Sequence, residues 1–490
     1  MLENPMLNLI KIDYDLIEQW NQQTAFKALY SIFFDEENLE SIGSYNSVDE
    51  KDVLEIIYLI LKHAKGTKTP NFKDVEQLAT RLTVKRMGAN RKVSEYYSMY
   101  NGEMTDFHLY FFLDKLFEPY SDKLLYEYGF NHYIVQCIDF LLSCHESFIF
   151  TKEDIGNAIE VNYDKEAGKY LLCMFDKFVE YFSDRPSLDS FESFQKSTLK
   201  KPFIRISENE YLFFWHWFRT SIILNLHYLL DKDEDYKRHK GDIFEEITAS
   251  LFKHHLKIEK IYTNSKYSGG EVDVLIDSED TILLIECKSG ILYTDYKLGV
   301  PNGNLEENIN SITGKAKIQL ENAKKIIQNN EDICNDDGTK LELDANKNIM
   351  LLNVCFEFPV GLSNKDRQEE VIVLSLVDLM MVVDLLEDNL FGESDVKNII
   401  YYLKLRKRAL GFATDDELTI AISLLYNPLK EAFLDNPKQL SRLYLDSSKS
   451  ISEINRFYAY LLTAKMLHNS LEYKAVEKNY KGFLRDYVLS

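Results

Sequence analysis

Apolar and polar positions along this 490-residue chain follow two rhythms, helical over most of its length and strand-like in the middle. Val53, Leu54, Ile56, Ile57, Ile60 and Leu61 recur at helical spacing behind Ser47-Val48-Asp49-Glu50, which reads as a capping box. Thr151 to Asp154 caps another helix. Residues 211–230 carry His216, Arg219, Asn225 and His227 among their aromatics, so they read as a buried amphipathic helix and not as a membrane span. The rhythm changes near residue 270. Residues 272–276 and a second apolar run ending in Glu286-Cys287-Lys288 are β-type, as are 349–356 and 371–376. Residues 315–323 and 377 to about 386 are helical, and helices return after about Gly392, where Ser450 to Glu453 caps a segment with Ile454, Phe457, Tyr458, Leu461 and Leu462 on one side. The chain is too long for one ordinary domain. It divides into a helical N-terminal domain (1–230), an α/β domain (237–392) and a helical C-terminal domain (393–490), with the charged run Asp231-Lys232-Asp233-Glu234-Asp235 as the first linker.

The two central β-type runs are joined by Asp277-Ser278-Glu279-Asp280, a polar cluster that predicts a hairpin turn. The expected register sets Asp273 opposite Leu284 and Glu271 opposite Glu286. Asp273, Glu271, Glu286 and Lys288 then share one pleat face, with Val272, Val274, Ile276, Leu283, Ile285 and Cys287 on the other. Diagonal neighbours on such a face lie roughly 7 Å apart at the backbone, within reach of one divalent cation held between Asp273 and Glu286. The triplet alone carries little information, because Asp49-Glu50-Lys51, Asp235-Tyr236-Lys237, Asp295-Tyr296-Lys297, Asp395-Val396-Lys397 and Glu472-Tyr473-Lys474 also match it. Only Glu286-Cys287-Lys288 ends an apolar run.

An acidic residue on one strand and Glu-x-Lys on the next resembles the signature of the PD-(D/E)xK nuclease superfamily. The likeness extends over about residues 237–392. Upstream, Lys240-Gly241-Asp242-Ile243-Phe244-Glu245 resembles the family's first core helix, with Glu245 at its glutamate position. Downstream, Gln319 matches the glutamine that some branches place on the helix after the Glu-x-Lys strand. The resemblance implies a restriction-endonuclease-like α/β core, a mixed central sheet flanked by helices, between mostly α-helical N- and C-terminal domains. It further implies a phosphodiester hydrolase using Mg²⁺ or Mn²⁺, with Glu245, Asp273, Glu286, Lys288 and Gln319 as site residues and Asp273, Glu286 and the Cys287 carbonyl on the metal. By analogy the chain is expected to be a DNA endonuclease of bacterial restriction or antiphage defence. An RNA-directed nuclease with the same site, and an inactive nuclease fold serving as a binding or assembly module, stand as alternatives.

Charge narrows the ways such a protein can meet its substrate. The formal net charge is −22, and residues 237–392 hold 17 basic against 28 acidic side chains, so nonspecific charge-driven DNA binding is not expected. Local basic clusters remain, of which Lys315, Lys317, Lys324 and Lys325 offer the best candidate for phosphate contacts. Residues 75–84 have the Leu-Ala-x-x-Leu-x-Val spacing of a first helix and turn in a helix-turn-helix, but Val93 lies too far on to anchor a second helix. Six cysteines without a Cys-x-x-Cys pair point to a reducing cytoplasm. Residues 1–13 lack a basic segment followed by an apolar stretch, so no secretory signal is expected, and the sequence contains no Gly-x4-Gly-Lys-Ser/Thr phosphate loop. The helical domains are expected to support a homo-oligomer or a partner protein, and residues 289–310 a lid over the site.

Overall fold

The computed structural model describes residues 14–34, 50–88, 106–143, 147–213, 215–256, 260–291, 307, 310–356, 370–387, 399–408 and 421. The start of the capping box at Ser47, the expected anchor Val93, most of the loop 289–310 and the capped segment after Ser450 lie outside them. Two compact units emerge, one of 1–94 with 103–232 and one of 95–102 with 233–490, and the break falls inside the charged run 231–235. Each unit holds a mixed sheet flanked by helices, an α/β arrangement.

The first unit is helical but not wholly so. Short strands Ile149–Thr151, Ser183–Asp184, Phe203–Arg205 and Glu210–Phe213 form a four-stranded sheet. The expected helix over 211–230 therefore begins only at Trp215. Tyr211 and Phe213 instead pack their rings against Phe150 and Phe203 across the sheet. Thr151 makes the expected capping box with Asp154. Phe72–Gly88 is one uninterrupted helix where helix-turn-helix spacing would place a turn, so the spacing of residues 75–84 marks no turn here.

In the second unit the chain runs α1 (Glu234–Leu256), β1 (Ile261–Tyr267), β2 (Gly270–Asp277), β3 (Thr281–Lys288), α2 (Lys315–Gln328), β4 (Ile333–Cys334), β5 (Asn348–Cys355), β6 (Val371–Ser375), α3 (Leu376–Glu387) and α4 (Ile399–Arg408). The sheet order is β6-β5-β3-β2-β1-β4. Strands β3, β5 and β6 are parallel, whereas β2 is antiparallel to both neighbours. Strand β3 is apolar on both faces because helices cover both. Helix α2 packs on β3, β2 and β5, and α1 on β3 and β2, with α3 and α4 docked against α1. Helix α4, within the segment expected to open a separate C-terminal domain, buries Ile399, Tyr402, Leu403 and Leu405.

The β2–β3 hairpin forms, but in a register two residues from the expected one. Leu275 faces Leu284, Ile276 faces Leu283 and Asp277 faces Ile282, and Ser278 N–H donates to the Thr281 carbonyl at 2.9 Å across the loop Glu279-Asp280. Asp277 reads as a turn residue in sequence, yet it lies inside the strand. Its carboxylate is 3% exposed and meets Lys347 at 2.6 Å and Lys260 at 3.4 Å. Two lysines from other strand ends thus let the aspartate extend the ladder and push the turn onward.

The expected face assignment is also corrected at Val272. It joins Leu275, Leu284, Leu320 and Leu351 in one core cluster, on the α2 side. Alternation must therefore invert between Val272 and Leu275. Opposite this point the β1–β2 ladder pairs Thr263 with Val274 and Ser265 with Val272, and the intervening Asn264 has φ +51°. Asparagine tolerates that left-handed backbone better than most side chains. Asp273 sits at the inversion.

Candidate active site

Asp273 does what a backbone carbonyl would otherwise do. The paired positions of β2 and β3 end at Val274 and Ile285. Two residues on, Cys287 N–H donates at 2.6 Å to the Asp273 carboxylate. The strands part here. Because N–H and C=O of one strand residue point the same way, the Cys287 carbonyl is also directed toward β2.

Glu286 and Lys288 project on the α2 face of β3. Lys288 Nζ donates to Glu286 Oε2 at 2.8 Å and to the Gln319 side-chain oxygen on α2 at 3.1 Å. Gln319 is fixed in turn, since the Tyr267 hydroxyl donates to its backbone carbonyl at 3.2 Å. The Cys287 thiol lies on the other face, where it meets Thr248 of α1, and burial pushes its pKa well up. Glu245, one turn before Thr248 on α1, brings its charge to the same end of the hairpin, with Asp273 the strongest acidic influence on it. The structure thus brings Glu245, Asp273, Glu286, Lys288 and Gln319 together from two helices and two strands.

The electrostatics are those of an acidic cluster short of positive charge. Glu286 is fully buried, Asp273 is 7% exposed, and Glu286 Oε1 has no hydrogen-bond partner among the described residues. Burial and the neighbouring Asp273 charge raise Glu286 above the usual carboxylate range, although Lys288 pulls the other way. Asp273 is raised by burial in spite of the Cys287 N–H. Glu245 is pushed up to about 7 by burial and by Asp273. Burial alone would lower Lys288, but Glu286 and Asp273 hold it above its ordinary value, so it is an ammonium.

Asp277 provides an internal comparison. It lies on the same strand and is as buried as Asp273, but two lysines neutralise it. Asp273 faces acids.

Sequence reasoning missed Asn353, Ser265 and Tyr267. Asn353 stands beside Glu286 in the parallel β3–β5 ladder, donates to the Ile312 carbonyl at 3.1 Å, and leaves its own side-chain oxygen buried without a partner, as does the Ser265 hydroxyl. As a lone amide inside the apolar run 349–356, Asn353 was visible in the sequence. Ser265 and Tyr267 carried no such signal.

A second polar cluster in the first unit is structural. The Ser121 hydroxyl lies 2.6 Å from His132 Nδ1, and Asp114 lies 3.7 Å from Nε2. The imidazole is fully buried and presents the wrong nitrogen to the serine for a hydrolytic triad.

Among the described residues, no group of three or more His, Cys, Asp and Glu side chains is arranged to hold a metal ion. The described cysteines are free thiols. Among the described residues no helix is long and apolar enough to cross a membrane. Comparison with protein-family models, with curated protein sequences and with solved structures gives no match.

Proposed function

We propose that this chain is a metal-dependent nuclease of the PD-(D/E)xK type, built on a restriction-endonuclease-like core and acting on DNA. One observation carries the reading: three carboxylates and a single ammonium converge where β2 and β3 part, with one oxygen of the buried Glu286 left unpartnered. Folded without a cation, these acids repel one another. Such a donor set suits a hard divalent ion better than zinc, since it offers carboxylate and carbonyl oxygens and neither thiolate nor imidazole. Asp273, Glu286 and the Cys287 carbonyl would hold Mg²⁺ or Mn²⁺. Bound there, the ion would supply charge neutralisation at the scissile phosphate and a lowered pKa for the attacking water.

The remaining residues have separable roles. Lys288 stays charged, so it acts by donating hydrogen bonds to the water or to the developing charge, and not as a base. Gln319 restrains the lysine from α2. Glu245, able to carry a proton near neutral pH, is the group positioned to receive or deliver one beside the acidic pair. A place in bacterial restriction or antiphage defence follows by analogy with other nucleases of this type.

The test is cleavage of duplex DNA, single-stranded DNA and RNA in Mg²⁺ and Mn²⁺ by wild type and by Lys288→Ala. Cleavage of DNA by wild type alone is expected. RNA cleavage alone would move the substrate to RNA. Equal activity of both proteins, or no cleavage together with no calorimetric Mg²⁺ binding, would overturn the reading.

A further inference from the structure

Helix α2 has two working faces. Ala316, Leu320, Ala323 and Ile327 are buried, and Gln319 reaches Lys288 at 3.1 Å. Along the outside run Lys315, Ile318, Asn322 and Lys325, all exposed and spaced at three and four residues, so they form one stripe. Glu321, four residues before Lys325, borders it on one side. The helix carries four lysines against the single Glu321, within a region where acids outnumber bases 28 to 17. Lys324 is engaged by Glu370 at 2.7 Å, but among the described residues neither Lys315 nor Lys325 has a side-chain partner. Ile318, between them, is 61% exposed, and it is the one large apolar side chain so exposed among the described residues of the second unit.

We propose that this stripe is the surface on which the nucleic-acid strand lies as it enters the site. Lys315 and Lys325 take phosphates and Ile318 packs on the sugar edge between them. At 1.5 Å per helical residue the two lysines stand about 15 Å apart, or about four steps of 3.4 Å along one strand. Lys315 lies one turn before Gln319, the residue that restrains Lys288, so the stripe begins beside the acidic cluster. This also answers the charge problem of an acidic domain: a stripe with a lysine at each end attracts a polyanion locally while the acidic surface elsewhere repels it, which limits binding to one approach. The polymer rests on the nuclease reading; the surface is tested by binding alone.

Full-length protein made catalytically silent by Asp273→Asn is titrated against a fluorescent 30-base-pair duplex in Mg²⁺, by anisotropy, from 50 to 200 mM salt. Three further proteins add Lys315→Ala with Lys325→Ala, Ile318→Ser, or, as a control, Lys165→Ala with Lys169→Ala. The first pair should weaken binding about tenfold at 50 mM salt and make the slope of log K against log salt shallower by about 2, one lost phosphate contact per lysine. Ile318→Ser should weaken binding with the slope unchanged, and the control should change neither. An unchanged slope in the Lys315/Lys325 protein, a control with the same effect, or no binding of the duplex at 50 mM salt overturns the stripe. If the wild-type chain cleaves DNA while the slope is unchanged, the stripe alone is wrong. Lysine-dependent binding without any cleavage by wild type leaves the stripe and removes the nuclease.

Discussion

Asp273 accepts the backbone N–H of Cys287 at 2.6 Å, so the first candidate metal ligand also holds open the strand that carries the second. The two duties can be separated. Asp273→Asn keeps an oxygen for the N–H and removes one of the repelling charges, whereas Asp273→Ala strands a buried donor. In a chelator the asparagine protein should be at least as stable as wild type, and the alanine protein less stable than the asparagine one by about 1–3 kcal/mol. Both should bind no Mg²⁺ by calorimetry and cleave nothing. Urea denaturation of the three proteins checks the order.

How far the sequence led can be judged at this hairpin. Asp273, Glu286 and Lys288 were legible because a carboxylate inside one apolar run, and a carboxylate and a lysine closing the next, are conspicuous by elementary patterning. The register was not, since Asp277 looks like a turn residue until Lys260 and Lys347 are brought to it from distant positions. Nor was the inversion at Asp273, which depends on the left-handed backbone of Asn264 in the neighbouring strand. Strands of two to four residues in the first unit are too short to establish a period, and Tyr211 was absorbed into the helix that follows.

The contrast between the two aspartates of β2 predicts opposite consequences for their lysines. Lys347→Ala removes the shorter of the ion pairs on buried Asp277 and its bond to the Ser278 carbonyl at 2.8 Å. It should cost about 2–4 kcal/mol while leaving cleavage per folded molecule unchanged. Lys288→Ala should cost less, about 1–3 kcal/mol, because the raised pKa of Glu286 lets the stranded carboxyl take up a proton, but it should abolish cleavage. Thermal melts beside single-turnover assays distinguish the two. Activity lost on Lys347→Ala at full stability would contradict the division of roles.

Gln319 touches Lys288 only through its side chain, while Tyr267 holds its backbone carbonyl. Gln319→Met therefore removes the restraint on the ammonium and keeps the helix in place. The turnover rate should fall about 10- to 100-fold, as for other residues that orient a catalytic group, with KM within a factor of about 2 and stability within about 1 kcal/mol. Tyr267→Phe should reproduce part of the rate loss. A change confined to KM would make Gln319 a substrate contact instead.

Repulsion in the acidic cluster also sets the sign of a pH effect. Glu245 titrates at about 7 in the folded chain against an ordinary 4.5, so between these values the folded state holds more protons than the unfolded one. Stability from this group is full below about pH 4.5 and is lost as pH rises through 7; Asp273 and Glu286, also raised, act in the same direction. In a chelator, urea stability should accordingly fall between pH 5 and pH 8, by about 2 kcal/mol on account of Glu245 alone once solvent screening is allowed for. Glu245→Gln should flatten the profile by that amount. Saturating Mg²⁺ should reverse the trend, because a cation binds the deprotonated acids and stabilises the folded state as pH rises. A profile that Mg²⁺ leaves unchanged would show that no ion enters the cluster, whatever the nuclease assays report.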